Sequence, residues 1–163
     1  MLGLDPGSRF TGYGVIRRSG SRVRLVAEGR IALPPQGSLA ERLVLLTEET
    51  ERLIARHRPG VAVLETLFRG INVRSLIVLA QARGALVATV AKAGLDLYEY
   101  TPSEIKAAVT GHGRADKQQV SRMVGMILGT RRPLSADAGD ALAAAICFSQ
   151  RSKIDTLSRR SES

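Results

Sequence analysis

Two short apolar runs that each close on an acid, MLGLD and GVAVLE, constrain this chain more than any other feature. A strand that is apolar at consecutive positions must be covered on both faces, which places it centrally between layers. Acids are depleted from strands, so Asp5 and Glu65 at the ends of such runs need a reason. Around them the chain reads in a definite order. MLGLD passes through a Pro-Gly turn into TGYGVIRR, and VRLVAEGRIAL makes a third strand, so the chain opens as an antiparallel meander. LPPQGS breaks it, with Ser38 placed to cap a helix from Leu39 to about His57. The apolar positions Leu39, Leu43, Leu46, Leu53 and Ile54 sit mainly at helical spacing. RPG stops that helix before GVAVLE. A long helix, apolar over much of its circumference, is expected from about Asn72 to Ala93, with Gly94 ending it and DLYEYTP as the fifth strand. A short helix in PSEIKAAVT, a glycine turn at GHGR, a helix from about Lys117 to Leu128, a break at TRRPLS and a last helix from about Ala136 to Gln150 follow. The expected fold is α/β, a mixed five-stranded sheet with an antiparallel meander then parallel strands, flanked by helices. One domain is expected over residues 1–150, followed by a basic, disordered tail over 151–163.

Charge narrows the class of partner. The 24 Lys and Arg outnumber the 15 Asp and Glu, for a net charge of +9. Such an excess favours a polyanion, nucleic acid above all. The single cysteine, Cys147, excludes an internal disulfide and fits the reducing cytoplasm. Its setting in ALAAAICF reads as a buried structural thiol. No cationic segment leads into an apolar one at the N-terminus, so no secretory signal is expected. Gln81, Arg83 and Lys92 interrupt the most apolar helix, which argues against a membrane span.

The acids carry the chemical argument. Asp137 and Asp140 open the alanine-rich helix SADAGDALAAAICF, and a spacing of three puts them on one face. Functional groups in open sheets gather at the carboxyl ends of parallel strands. If the first and fourth strands are neighbours, Asp5 and Glu65 point into one crevice. The small side chains of Ala141, Ala144 and Ala145 would let the last helix approach and bring its own acids there. Two carboxylates about 4 Å apart repel by roughly 4 kcal/mol at an effective dielectric of about 20. Such a cluster therefore holds protons or cations. Oxygen donors alone favour Mg²⁺ or Mn²⁺, and a carboxylate-held ion pair suits phosphodiester hydrolysis. Taken singly, Asp5 could shape a turn and Asp137 could serve the helix dipole. Glu65 after VAVL has no such account, and the convergence of all of them favours chemistry.

LGLDPGSRFTGYGVI, VLETLF, QARGALVATVA, SEIKAAVTGHGRADKQQV and DAGDALAAAIC, in this order, resemble the RuvC family of Holliday-junction resolvases, with a ribonuclease H-like fold. The resemblance covers nearly the whole chain and fails in the tail. It implies that Asp5, Glu65, Asp137 and Asp140 are catalytic carboxylates holding divalent metal, two ions per subunit, for attack of water on a phosphodiester. Some members replace one of the last two acids by His; this chain keeps both. It further implies a junction-contacting role for Phe68 and active-site roles for Lys106 and Lys117. Arg69, Arg74 and Arg114 are weaker candidates for phosphate contacts, and His112 matches no signature. The family is homodimeric through the helix expected here over Asn72 to Ala93. It acts on four-way junction DNA in recombination and repair, and works with a branch-migration motor of the RuvA and RuvB type.

Three other readings stay open at this point. A YqgF-like RNA-processing nuclease shares the fold and the early DPG-type strand, but the long helix and SEIKAAVTGHGRADK speak against it. An actin-like phosphotransferase needs a second phosphate loop and usually a duplicated domain, for which 163 residues leave no room. A noncatalytic junction-binding module would gain nothing from four acids that repel phosphate.

Overall fold

Register explains the architecture. The computed structural model describes residues 1–66 and 73–161 and, within them, every side chain except those of residues 74 and 153–161. Strand β1 (Leu2–Asp5) pairs antiparallel with β2 (Phe10–Ser19), which pairs antiparallel with β3 (Arg22–Ala32). On its other side β1 runs parallel to β4 (Val61–Glu65), and β4 runs parallel to β5 (Asp96–Tyr100). The sheet order is therefore β3-β2-β1-β4-β5, with the two acid-ended strands side by side at its centre.

The helices sort onto two faces. Helices α1 (Leu39–His57) and α2 (Val73–Lys92) cover one side, where Leu2, Leu4, Val15, Ala62 and Leu64 meet Leu46, Ala82, Leu86 and Val90. Helices α3 (Pro102–Thr110), α4 (Lys117–Leu128) and α5 (Ala136–Ser161) cover the other, where Ile16 and Val63 meet Ile105, Val109, Val124, Leu142 and Ile146. Capping at α1 is supplied as the sequence predicts: the Ser38 hydroxyl accepts from the Glu41 amide while the Ser38 amide donates to the Glu41 carboxylate. Thr101 with Glu104, and Asp116 with Gln119, do the same for α3 and α4.

The centre of α5 presses directly on the sheet because the sheet offers glycines there. A Cβ on Gly3 would lie 1.9 Å from the Ala141 carbonyl oxygen, and one on Gly12 would lie 2.0 Å from that of Asp137. One on Gly14 would lie 2.5 Å from the Leu142 side chain. Only hydrogen on these three strand positions permits the approach. The alanines expected to allow it, Ala141, Ala144 and Ala145, are fully covered.

One expectation changes. The last helix does not stop near Gln150, since α5 continues to Ser161. RSKIDTLSRRS contains neither Gly nor Pro, so nothing in it terminates a helix. At the start of that stretch Arg18 Nη1 donates to the Ser149 carbonyl at 2.7 Å, fastening the helix to the end of β2. The helix expected from Asn72 is described from Val73. Its segment Ser75–Lys92 has mean hydropathy 1.3 and is long and apolar enough to cross a membrane by composition. One flank of that segment belongs to the core, however, through Ala82, Leu86 and Val90. Arg83 forms an ion pair with Glu99 of β5.

Candidate active site

Strand parity aims the acids. Leu2 and Leu4 face α1 and α2, so Gly3 and Asp5, at the alternate positions of β1, face α5. On β4, Ala62 and Leu64 take the first side, while Val63 joins the α5 core, so Glu65 follows Val63. The parallel register sets Leu4 beside Leu64, which brings Asp5 and Glu65 next to each other. Helix α5 arrives over Gly12, the partner of Asp5 across the β1–β2 ladder, with the Asp137 backbone against it. Asp140 follows on the same helix face, one turn in.

Two acids outside this crevice are consumed by helix capping, and their electrostatics show it. Glu41 and Glu104 take hydrogen bonds from the backbone and side chains of their N-caps, which lower their pKa values. Asp5 and Glu65 shift the opposite way. Burial, followed by the charges of Asp140, Glu65 and Asp137, pushes Asp5 up to about 7, against a smaller opposing pull from Lys117. Glu65 is raised chiefly by burial and next by Asp140, while Lys117 and Lys106 hold it down. No described residue donates a hydrogen bond to the Asp5 carboxyl, so Asp5 is no turn cap. The tight DPGS turn is instead the work of Gly7, where a Cβ would lie 2.1 Å from the Phe10 carbonyl oxygen. Nor does Asp137 cap α5, because Ser135 Oγ accepts from the Ala138 amide.

Two lysines complete the crevice. Lys106 on α3 and Lys117 at the start of α4 line a cavity of about 190 Å³ together with Glu65, Asp140, Ile105 and Val120. Lys117 Nζ stands 3.5 Å from Asp140 Oδ2. Its side chain is 85% exposed, so it can swing toward a ligand at little cost. Among the described residues, no three acid, histidine or cysteine side chains close on a common point as a finished chelate. The four acids instead ring the crevice, and burial together with the neighbouring carboxylates raises the proton affinity of Asp5 and Glu65. An all-oxygen donor set with uncompensated negative charge fits a hard divalent cation.

The remaining candidates separate clearly. Arg114 is exposed in the turn between α3 and α4 and does not line the cavity. His112 is exposed in the same turn, its carbonyl accepting from Thr110 Oγ1. Phe68 and Arg69 lie outside the described residues, as does the side chain of Arg74. Cys147 is buried, and burial pushes its thiol up to about 11, which suits a packing role. Sequence reasoning missed the glycines that admit α5. The signal was present in TGYG, where alternate glycines on one strand face mark the close approach of another element.

Acids at the ends of two adjacent central strands, joined by acids on a helix crossing the same sheet face, define a ribonuclease H-like nuclease. The comparisons specify it further. The family profile of the crossover junction endodeoxyribonuclease RuvC matches residues 1–148. A crossover junction endodeoxyribonuclease RuvC of Alkalilimnicola ehrlichii is 48% identical over 160 residues, covering 98% of this chain and 96% of its own. One from Anaeromyxobacter sp. strain K is 48% identical over 147 residues, covering 90% and 78%. The structure of T. thermophilus RuvC in complex with a Holliday junction substrate superposes with a TM-score of 0.90 at 29% identity, covering 95% of each chain. The yeast mitochondrial Holliday junction resolvase Ydc2, at 14% identity and TM-score 0.61, shares the fold over 96% of this chain and 83% of its own. The chain belongs to the RuvC family of crossover junction endodeoxyribonucleases, divalent-metal-dependent nucleases that hydrolyse DNA.

Proposed function

We propose that this protein resolves four-way DNA junctions by paired, symmetric nicks, using Asp5, Glu65, Asp137 and Asp140 to hold Mg²⁺ or Mn²⁺, two ions per subunit. The convergence of four carboxylates on one crevice, with Asp5 and Glu65 both raised by burial and by their acidic neighbours, carries the reading, since it marks a site built to receive positive charge. Bound divalent metal there would activate water and stabilise the leaving oxygen. Asp5 and Glu65, on rigid strands, fix one side of the site, while Asp137 and Asp140 are set by the seat of α5 on Gly12. Lys106 and Lys117 supply positive charge beside the acids, where negative charge builds on the phosphate during attack. Phe68 is assigned to junction contact, and Arg69, Arg74 and Arg114 to phosphate contacts further out.

Four-way resolution needs two sites, which a two-fold dimer through α2 supplies. The outward positions of α2 support this arrangement. Val73 is 73% exposed and Ile77 53% exposed, and the exposed stripe continues through Ala80, Gly84, Ala88 and Ala91 without a charge. A Cβ on Gly84 would meet nothing within 4 Å, so the subunit itself gives no reason for a glycine that costs a helix about 1 kcal/mol. A second helix approaching closely does. Ile77→Glu is expected to convert dimer to monomer in sedimentation, with loss of paired nicking; an unchanged dimer would refute the interface. A motor of the RuvA and RuvB type is the further partner, and the cytoplasm the site of action.

The decisive assay compares a synthetic four-way junction with linear duplex and an RNA–DNA hybrid, in Mg²⁺, Mn²⁺ and EDTA. Symmetric nicks confined to the junction and abolished by EDTA are expected. Preferential cutting of the hybrid would move the protein to RNA processing, and tight junction binding without cutting in either metal would make it a binding module.

A further inference from the structure

Phe10 and Arg30 stand on the catalytic face of the sheet, yet nothing so far gives them a task. Asp5 is paired with Gly12, Gly12 with Arg30, and Phe10 with Ala32. Directly opposed residues and those two apart on a strand share a face, so Asp5, Gly12, Phe10 and Arg30 all look toward the α5 side. Helix α5 covers Gly12 with Asp137 but begins at Ala136, and Phe10 is left 37% exposed. The Arg30 guanidinium carbon lies 4.3 Å from the centre of the Phe10 ring. Among the described residues, no carboxylate forms an ion pair with Arg30.

The pair is held in place from below. Gly7 lets the DPGS turn close against the Phe10 carbonyl. The Leu33 amide donates to the Arg9 carbonyl at 2.9 Å, tying the same turn to the chain beyond β3. This chain has only three phenylalanines, and Phe148 packs against Tyr98. Leaving Phe10 37% exposed beneath a guanidinium that no described carboxylate pairs forgoes part of the stabilisation that full burial would give. A guanidinium flat on a ring keeps its edge free for phosphate, and an exposed ring beside it can support a base.

We propose that Phe10 and Arg30 form a strand-binding subsite beside Asp5 and Asp137, in which Arg30 pairs with a phosphate flanking the scissile one and Phe10 stacks on the adjoining base. This rests on reading the crevice as a DNA-cleaving site. It extends the grip on the strand across β2 and β3, on the opposite side of the acids from Lys106.

Two independent readouts test it on the full chain: junction affinity in EDTA as a function of salt, and single-turnover cleavage in Mg²⁺. The variants are Phe10→Ala, Arg30→Ala and Arg30→Lys, with Arg24→Ala as an equal loss of charge at the far end of β3. Arg30→Ala is expected to weaken binding about tenfold and to reduce the salt slope by about one. Phe10→Ala is expected to weaken binding about fivefold or more with the slope unchanged. Arg30→Lys should keep the slope while losing part of the affinity, and Arg24→Ala should match wild type. If both alanine variants behave like Arg24→Ala in salt slope and half-saturation, the subsite is overturned. These binding effects in the variants, alongside a wild type that binds the junction but never cuts it, would overturn the nuclease reading while supporting the subsite.

Discussion

Asp5→Asn will stop junction cleavage and, in the same protein, raise the melting temperature of the metal-free form at pH 8. The first effect should be at least about a thousandfold, since it removes a group on which several kcal/mol of transition-state stabilisation depends. The second follows from linkage. The folded protein holds Asp5 near 7, against 3.8 for an unperturbed aspartate, because of burial and three neighbouring acids. Between about pH 4 and 7 the folded state therefore binds more proton at this site than the unfolded state does. Stability falls as pH rises through that window, and the full penalty stands above it. Asparagine carries no charge to desolvate, so the variant should gain on the order of 2 kcal/mol at pH 8, about 5 °C for a chain of this size. The gain should vanish at pH 4. Millimolar Mg²⁺ should raise the wild-type melting temperature and leave the variant nearly unmoved. Melts at the two pH values, with and without Mg²⁺, check all of this; a variant less stable than wild type at pH 8 would remove the electrostatic account of the site.

Gly12→Ala is expected to cost about 3 kcal/mol or more, and to lose activity beyond what its stability explains. The new Cβ would sit 2.0 Å from the Asp137 carbonyl oxygen and 2.4 Å from its carbon. Those are backbone atoms, so no rotamer change relieves the clash, and α5 must lift at the end that carries Asp137 and Asp140. Gly3→Ala meets the Ala141 carbonyl just as closely, but a full turn deeper along the helix, and should act mainly on stability. Gly60→Ala is the control: its Cβ would meet nothing within 4 Å and its φ is ordinary, so it should be neutral to slightly stabilising. Denaturant titration gives the stabilities. Cleavage measured well below each midpoint separates misplacement of the acids from unfolding. A Gly12→Ala protein with wild-type stability and rate would show that α5 is not seated as described.

The acids were legible in the sequence because two of them close apolar strands and the other two share a helix face expected to converge on the same place. Asp5 and Glu65 end apolar strands, and Asp137 and Asp140 crowd a helix start that Ser135 already caps. The element order was legible because apolar spacing changes period at Pro, Gly and capping residues, all of which act locally. The reach of α5 beyond Gln150 was missed because the polar, basic stretch after it carries no apolar period to announce a helix, although it contains neither Gly nor Pro to end one. Lys106 and Lys117 were named by resemblance alone, because a surface lysine carries no local signature until the fold sets it beside an acid. The Phe10–Arg30 pair was invisible, since only the β2–β3 register brings those residues together. The sequence by itself determined which elements form and which acids they leave unused, because periodicity, capping and turn chemistry act over a few residues. Tertiary structure alone decided that strand parity turns both strand-end acids toward α5 and that three glycines let that helix close on them, because a carboxylate's chemistry depends on charges many residues away in the chain and a few ångströms away in space.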